Sequence, residues 1–409
     1  MKILTVVYDL DKGGTQRAAQ NFCEAYKALG HDSQLIAVYA GGPREQELKV
    51  LGISVYVTIT PEFIKHLRDW DPDIIHLHSH ALKKVEVYKL KEVCPRARMI
   101  ETNVFSCLSD YSENSVEYSF QLSAWCNYLY HSRGGSTNKS VIIPNPVKTQ
   151  PFKKSTYEDC QAFRQKYNIP GDAFVLGRIG QKHFAKWSYY LVDIFQKFSE
   201  EVNANSCLLL VNAHESLISY AKDKGLLDKI ILIDVITGDQ ELAQCYSTID
   251  LFLHISTQGE SFGYALAESL LCETPVIAYN TPWSDNSQSE VIGDRVGGYC
   301  ANSRKEFFKF IKTLYFNEKL RHELGKRGRE KIINDYNYTV VAQKVIDIMT
   351  RENTSSKTSP ISSLVAIRNL SFIKKNIVRI LLWIKLKHEV THRGSNFVLK
   401  KLYNHKIYY

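Results

Sequence analysis

The chain has no C-x-x-C pair, no G-x-G-x-x-G element and no uninterrupted apolar run of the roughly 20 residues that a membrane-spanning helix needs. Its nine cysteines (23, 94, 107, 126, 160, 207, 245, 272 and 300) are scattered and odd in number. That argues against a disulfide framework and suits reduced, mostly buried thiols in a cytosolic protein. The first loop reads DLDKGGTQR rather than the dinucleotide fingerprint, which speaks against a dinucleotide-dependent oxidoreductase. The opening MKILTVVYDL lacks the long apolar core and small-residue cleavage site of a signal peptide, and is expected to form a first buried strand.

What is present is ordinary in bulk and uneven in place. The 409 residues are 44% hydrophobic and 23% charged, and the length suits two domains. The net charge is +9, yet residues 364–409 alone hold ten Lys and Arg against one Glu, a balance of +9. The rest of the chain is therefore close to neutral, and the basicity belongs to the tail.

Strand-like runs alternate with helical ones. KILTVVY (2–8), SQLIAVY (33–39), PDIIHLHSH (72–80), ARMIETN (97–103) and KSVIIPNPV (139–147) read as strands of a first half. A helix over 15–29 puts Ala18, Phe22, Ala25 and Leu29 on one face before Gly30. KTQPFKKSTYED (148–159) reads as a linker. The pattern then restarts: strands at 173–180, 206–213, 229–235, 250–256 and 275–280, helices near 187–202 and from about 263, a helix over 303–316, a basic segment over 318–334 and a last helix over 340–349. Such alternation predicts parallel sheets covered on both faces. The predicted fold class is α/β, with two Rossmann-like doubly wound domains facing across a cleft. The expected boundaries are 1–150, 171–335, a terminal helix over 336–350 packing on the body, a linker over 351–363 and a basic amphipathic tail over 364–409.

Two loops carry candidate chemistry. GESFGYALAE (259–268) joins a buried strand to an apolar helix and holds two glutamates eight residues apart. Open α/β sheets bind ligands at such strand ends, and helix N-terminal amides favour phosphate. A carboxylate accepts two hydrogen bonds at once, which suits vicinal hydroxyls, and the loop is expected to let Glu260 and Glu268 both face the cleft. The same spacing also fits a dipole-complementing Glu260 and a solvated Glu268. Upstream, GRIGQKHFAKW (177–187) places Arg178 and Lys186 where fixed positive charge could meet a diphosphate, with Lys182 and His183 as nearby substitutes.

Taken in order, KGGTQRAA, PDIIHLHSH, IPNPV, GRIG with its following Lys, and ESFGxxxxE resemble the retaining family 4 glycosyltransferases of the GT-B fold, over about residues 1–350. The resemblance implies that Glu268 holds the ribose of a nucleotide sugar. Glu260, with the backbone of Ser261, Phe262 and Gly263, would hold the donor sugar. Arg178 and Lys186 would bind the diphosphate, so that Arg178, Lys186 and Glu260 form the catalytic group. Gly13 and Gly14 would let the first loop approach the donor phosphate, and Asp234 and Val235 would border the nucleobase. Sugar transfer would proceed with retention, with no metal and no cofactor beyond the nucleotide diphosphate sugar, and no dedicated nucleophile is visible in the chain.

The first half departs from the family pattern. Where many members carry a histidine, this chain has Asn103, with Glu101 two residues before it. An amide hydrogen-bonds a hydroxyl but is no acid or base near neutral pH. His78, His80, Glu101 and Asn103 are the acceptor-side candidates. His76, His78 and His80 alternate along one strand and so spread over about 13 Å, too far for one tetrahedral metal ion.

In the tail, Ile367, Leu370, Ile373, Ile377, Ile380, Leu381 and Ile384 share one helical face, interrupted by Lys374, Lys375, Arg379 and Lys385 and joined by Trp383. A basic amphipathic helix binds anionic lipid surfaces. A partner-binding helix fits the same pattern, and no nucleic-acid fold accompanies the charge. The expected protein is a glycosyltransferase of cell-surface polysaccharide or lipopolysaccharide synthesis, cytoplasmic and peripheral on the inner face of the plasma membrane. It would act on a glycan or lipid-linked saccharide. The rivals are a nucleotide-sugar epimerase or hydrolase on the same fold and a non-catalytic membrane-bound scaffold.

Overall fold

The structure, a computed structural model, describes residues 1–350 apart from 79–81, 110 and 283. The linker and tail expected over 351–409, and the candidate His80, lie outside the described residues.

Two compact units follow from the packing. One comprises residues 1–148 and the described residues from 334 to 350, the other residues 149–333. The first unit holds a seven-stranded parallel sheet in the order β3-β2-β1-β4-β5-β6-β7. Its strands are β1 (Lys2–Val7), β2 (Asp32–Ala37), β3 (Ser54–Val57), β4 (Ile74–His78), β5 (Arg98–Asn103), β6 (Tyr118–Gln121) and β7 (Ser140–Ile142). The helix Gly14–Ala28 packs its Phe22 and Tyr26 on one face of the sheet with Ile74 and Phe120. The helix Tyr338–Thr350 joins the same cluster through Val341, Ala342, Val345, Ile346 and Met349, so the chain returns to its first unit at the end of the body.

The second unit holds a six-stranded sheet in the order β10-β9-β8-β11-β12-β13. Its strands are β8 (Phe174–Ile179), β9 (Ser206–Val211), β10 (Ile230–Ile233), β11 (Leu251–His254), β12 (Val276–Tyr279) and β13 (Gly298–Ala301). β8, β9 and β11 are almost wholly buried, as apolar runs covered on both faces must be. Every strand pairing in both sheets is parallel.

The predicted linker is shorter than expected. A helix, Tyr157–Lys166, starts inside it, because Thr156 caps Asp159 and the Asp159 carboxylate accepts back from the Thr156 backbone. Strands β3, β6 and β13 have no counterpart in the sequence reading.

Candidate functional site

In the second sheet the chain winds outward from β8 to one side and from β11 to the other. The switch point lies between them, where open α/β sheets form a ligand crevice beyond the strand ends. Two loops meet there. The loop after β8 ends in a single 3-10 turn, Phe184–Lys186, and the loop after β11 runs to Gly263. They are clasped through one carbonyl. Ala185 O accepts from Thr257 N at 3.2 Å, from Thr257 Oγ1 at 2.9 Å and from Ser256 Oγ at 3.3 Å.

The clasp brings three of the expected residues together. Lys186 Nζ lies 2.8 Å from Glu260 Oε2 and donates to Gly259 O at 3.4 Å. Arg178, on β8, is 1% exposed. Its Nη2 donates to Lys186 O at 3.1 Å, and its guanidinium sits over the Trp187 ring at 5.7 Å. Among the described residues its Nε and Nη1 have no hydrogen-bond partner. A buried guanidinium so poorly satisfied is costly, and burial lowers its pKa to about 10 although Glu260 and Tyr246 work against the shift.

A fourth member joins them that no loop motif signals. His254, the last residue of β11, places Nε2 3.1 Å from Glu260 Oε1. Burial, and then Arg178, push it down to about 4 against the pull of Glu260. Burial alone would raise Glu260, but Lys186 and His254 outweigh it and hold the carboxyl well below its usual range. In the sequence His254 sits inside DLFLHIS and reads as strand interior. A titratable side chain at the C-terminal end of an apolar strand is the signal that could have found it.

The main chain of the Glu260 loop is pinned as well. Glu260 N donates to Gln288 Oε1 at 3.2 Å and Ser287 N donates to Glu260 O at 2.9 Å. Gly259 has φ of +65°, and a Cβ there would stand 1.8 Å from Asp285 O. Gly263 caps the helix Tyr264–Leu271 at φ +96°. Phe262 is buried against Tyr264, with ring centroids 5.1 Å apart, which anchors the loop, while Ser261 is half-buried.

The two glutamates do not share a setting. Glu268 is 3% exposed and accepts from Tyr246 OH at 2.8 Å, inside the packing of its helix. Lys182 turns away to an exposed ion pair with Glu215 at 2.9 Å, and His183 accepts from Ala185 N to cap the 3-10 turn. Neither replaces Lys186. Asp234 and Val235 follow β10, at the opposite edge of this sheet from β13, and are exposed.

In the first unit, the switch point lies between β1 and β4. Gly13 caps the helix Gly14–Ala28, and a Cβ on Gly14 would meet nothing within 4 Å. His76 is a satisfied core histidine, bonded to Tyr26 OH at 2.9 Å and Thr102 Oγ1 at 2.8 Å. His78 is fully buried beside it, and among the described residues neither ring nitrogen has a hydrogen-bond partner. His78 pairs in register with Thr102, and Leu77 with Glu101. His78 thus faces Phe22, while Glu101 and Asn103 point to the other side of the sheet. Glu101 accepts from Ser119 Oγ at 2.6 Å. Asn103 uses both ends of its amide within its own loop, donating to Cys107 O at 2.8 Å and accepting from Cys107 N at 3.1 Å. Of the described acceptor-side candidates, His78 therefore lies on one side of the sheet and Glu101 and Asn103 on the other. Among the described residues no group of three His, Cys, Asp or Glu is arranged to hold a metal ion.

Residues 159–331 match the family described as Glycosyl transferases group 1. A probable sucrose-phosphate synthase of Thermosipho melanesiensis is 24% identical over 220 residues, 53% of this chain and 46% of that protein. The match thus spans less than half the length of that curated relative. The crystal structure of Anabaena Alr3699/HepE in complex with UDP and glucose superposes with a TM-score of 0.73 at 16% identity, over 86% of this chain and 100% of that one. WaaG, a glycosyltransferase involved in lipopolysaccharide biosynthesis, superposes with a TM-score of 0.60 at 15% identity, over 86% of this chain and 100% of the other. Residues 159–331 therefore form a glycosyl transferases group 1 domain, in a chain with the GT-B fold.

Proposed function

We propose that the protein is a retaining, metal-independent glycosyltransferase of the family 4 type, moving a sugar from a nucleotide diphosphate sugar to a glycan acceptor. The observation that carries this reading is Arg178, buried at the switch point of the group 1 domain with Nε and Nη1 unpartnered among the described residues, beside the Lys186–Glu260 pair. Arg178, Lys186 and Glu260 together leave one net positive charge, in an environment where a diphosphate gains more than it would in water. Leaving-group charge grows as the sugar departs, so Arg178 and Lys186 stabilise the transition state more than the bound donor. Glu260, ionised and acceptor-only, receives hydrogen bonds from donor-sugar hydroxyls. Glu268 is the ribose contact, with Tyr246 fixing its second oxygen. The UDP and glucose bound by Alr3699/HepE on the same fold support a nucleoside diphosphate as the leaving group.

The acceptor is taken to be lipid-linked, in cell-surface polysaccharide or lipopolysaccharide synthesis. Support comes from WaaG and from the basic amphipathic stretch over 364–388, read as docking on an anionic membrane at its cytoplasmic face. The deciding experiment is a thermal-shift screen of the full chain against UDP, GDP, ADP, CMP and their sugar conjugates, beside Glu268→Ala. Stabilisation by one nucleotide family, lost in the variant, is expected. No shift with any nucleotide in folded protein would favour a non-catalytic scaffold.

A further inference from the structure

Glu260 is held at both oxygens. Oε2 receives Lys186 Nζ at 2.8 Å, and Oε1 faces His254 Nε2 at 3.1 Å. An ionised carboxylate only accepts, so Nε2 must carry the proton, and the imidazole donates without adding charge to the site. The two holders differ in kind. Lys186 is a flexible four-carbon side chain on a 3-10 turn, 23% exposed. His254 is 1% exposed, and its backbone lies in the sheet, paired in register with Ala278 of β12.

In the proposed reaction Lys186 has two claims on it, since the diphosphate and Glu260 both attract its ammonium. When the ligand draws Lys186 away, Oε2 is released toward incoming hydroxyls. The contact from Oε1 to the sheet is then what keeps the carboxylate aimed. We propose that His254 is a positioning residue that fixes Glu260 from the end of β11, so that diphosphate binding frees one carboxylate oxygen for the donor sugar without letting the side chain swing. This inference rests on the donor-site reading above. It predicts that His254 matters to recognition of the sugar and not to recognition of the nucleoside diphosphate.

The test is calorimetric titration of the full chain with UDP against UDP-glucose, and GDP against GDP-mannose. The variants are His254→Gln, His254→Asn and His254→Leu. Gln carries an amide donor to about the position of Nε2, whereas Asn is too short to reach Oε1. Expected is a loss of about tenfold in nucleotide-sugar affinity for His254→Leu and His254→Asn, the size of one lost hydrogen bond to a charged group. Affinity for the bare nucleoside diphosphate stays within twofold, and His254→Gln restores most of the loss. In a Glu260→Ala background the His254→Leu change adds nothing further. Equal weakening of the diphosphate and its sugar conjugate overturns the inference, as does a loss in the Glu260→Ala background equal to that in the wild type. If His254→Leu does not fold, His254→Asn separates the same outcomes. A wild type that binds neither pair sinks the donor-site reading itself. That differs from a wild type that binds both while His254→Leu changes neither, which overturns the positioning role alone.

Discussion

Three histidines, His76, His78 and His254, are buried and held neutral, and each ties stability to pH in the same direction. Burial lowers His76 well below the ordinary 6.5, takes His78 to about 3 and, with Arg178, takes His254 to about 4. A histidine freed by unfolding takes up a proton near pH 6.5, while the folded one refuses it until the lower value is reached. Between those values the unfolded chain binds more protons, so stability falls as pH falls, by about 1.4 kcal/mol per pH unit for each such group. Glu260 acts later, because its folded pKa lies below its unfolded one and its contribution fades only under about pH 4.5. Acid destabilisation should therefore begin near pH 6.5, and His78→Leu should flatten it by one proton. Urea midpoints of both proteins at pH 7 and pH 5 check this, and equal losses in the two would show that His78 is not held neutral in the fold. Legibility in the sequence divides along the same line. Arg178, Lys186 and Glu260 flank loop signals and are visible there. His254 is hidden inside an apolar run, and the burial of Glu268 against Tyr246 depends on a residue 22 positions upstream, which no local spacing reports.

At the scale of elements, the site is a clasp between two loops, and one glycine lets it close. Gly259 holds a positive φ within van der Waals reach of backbone, so an added Cβ would force Asp285 O and Thr281 Oγ1 apart. Thr281 in turn bonds Asn286, Gln288 and Asp285, and Gln288 holds Glu260 N, so the displacement would pass directly to the Glu260 loop. Gly259→Ala should cost about 1–3 kcal/mol of stability through strain and steric clash. It should also weaken nucleotide-sugar binding at least tenfold, read from one denaturation curve and one titration. A variant as stable and as active as the wild type would mean that the loop is not packed as described. The elements that the sequence hides share a cause. SVYV, YSFQ and GYCA each open on or are broken by Ser or Gly, whereas the equally short β10, β11 and β12 lie in unbroken apolar runs that give them away. In YSFQ, Tyr118 and Phe120 face the apolar cluster while Ser119 and Gln121 form a buried polar ladder under Glu101, so the face opposite the core reads as solvent-facing although it is buried. The long apolar runs of β1, β8 and β9 are legible to within about two residues because parallel strands covered on both faces announce themselves.

For the whole molecule, charge and chain path set two different limits on truncation. The first unit is completed by residues from 334 onward, and the helix Tyr338–Thr350 gives it five buried apolar side chains. At about 1.5–3 kcal/mol each, an upper figure, their loss equals the whole stability of an ordinary domain. The net charge lies beyond that helix, in residues 364–409, outside the described residues. A chain ending at 350 should therefore keep its thermal transition and its stabilisation by nucleotide while losing co-sedimentation with anionic vesicles. A chain ending at 333 should leave residues 1–148 open to protease and a resistant fragment over 149–333. If the chain ending at 350 still sediments with anionic vesicles, the membrane surface lies elsewhere than the tail. If the chain ending at 333 protects both halves, the returning helix is an accessory to the first unit and not part of its core.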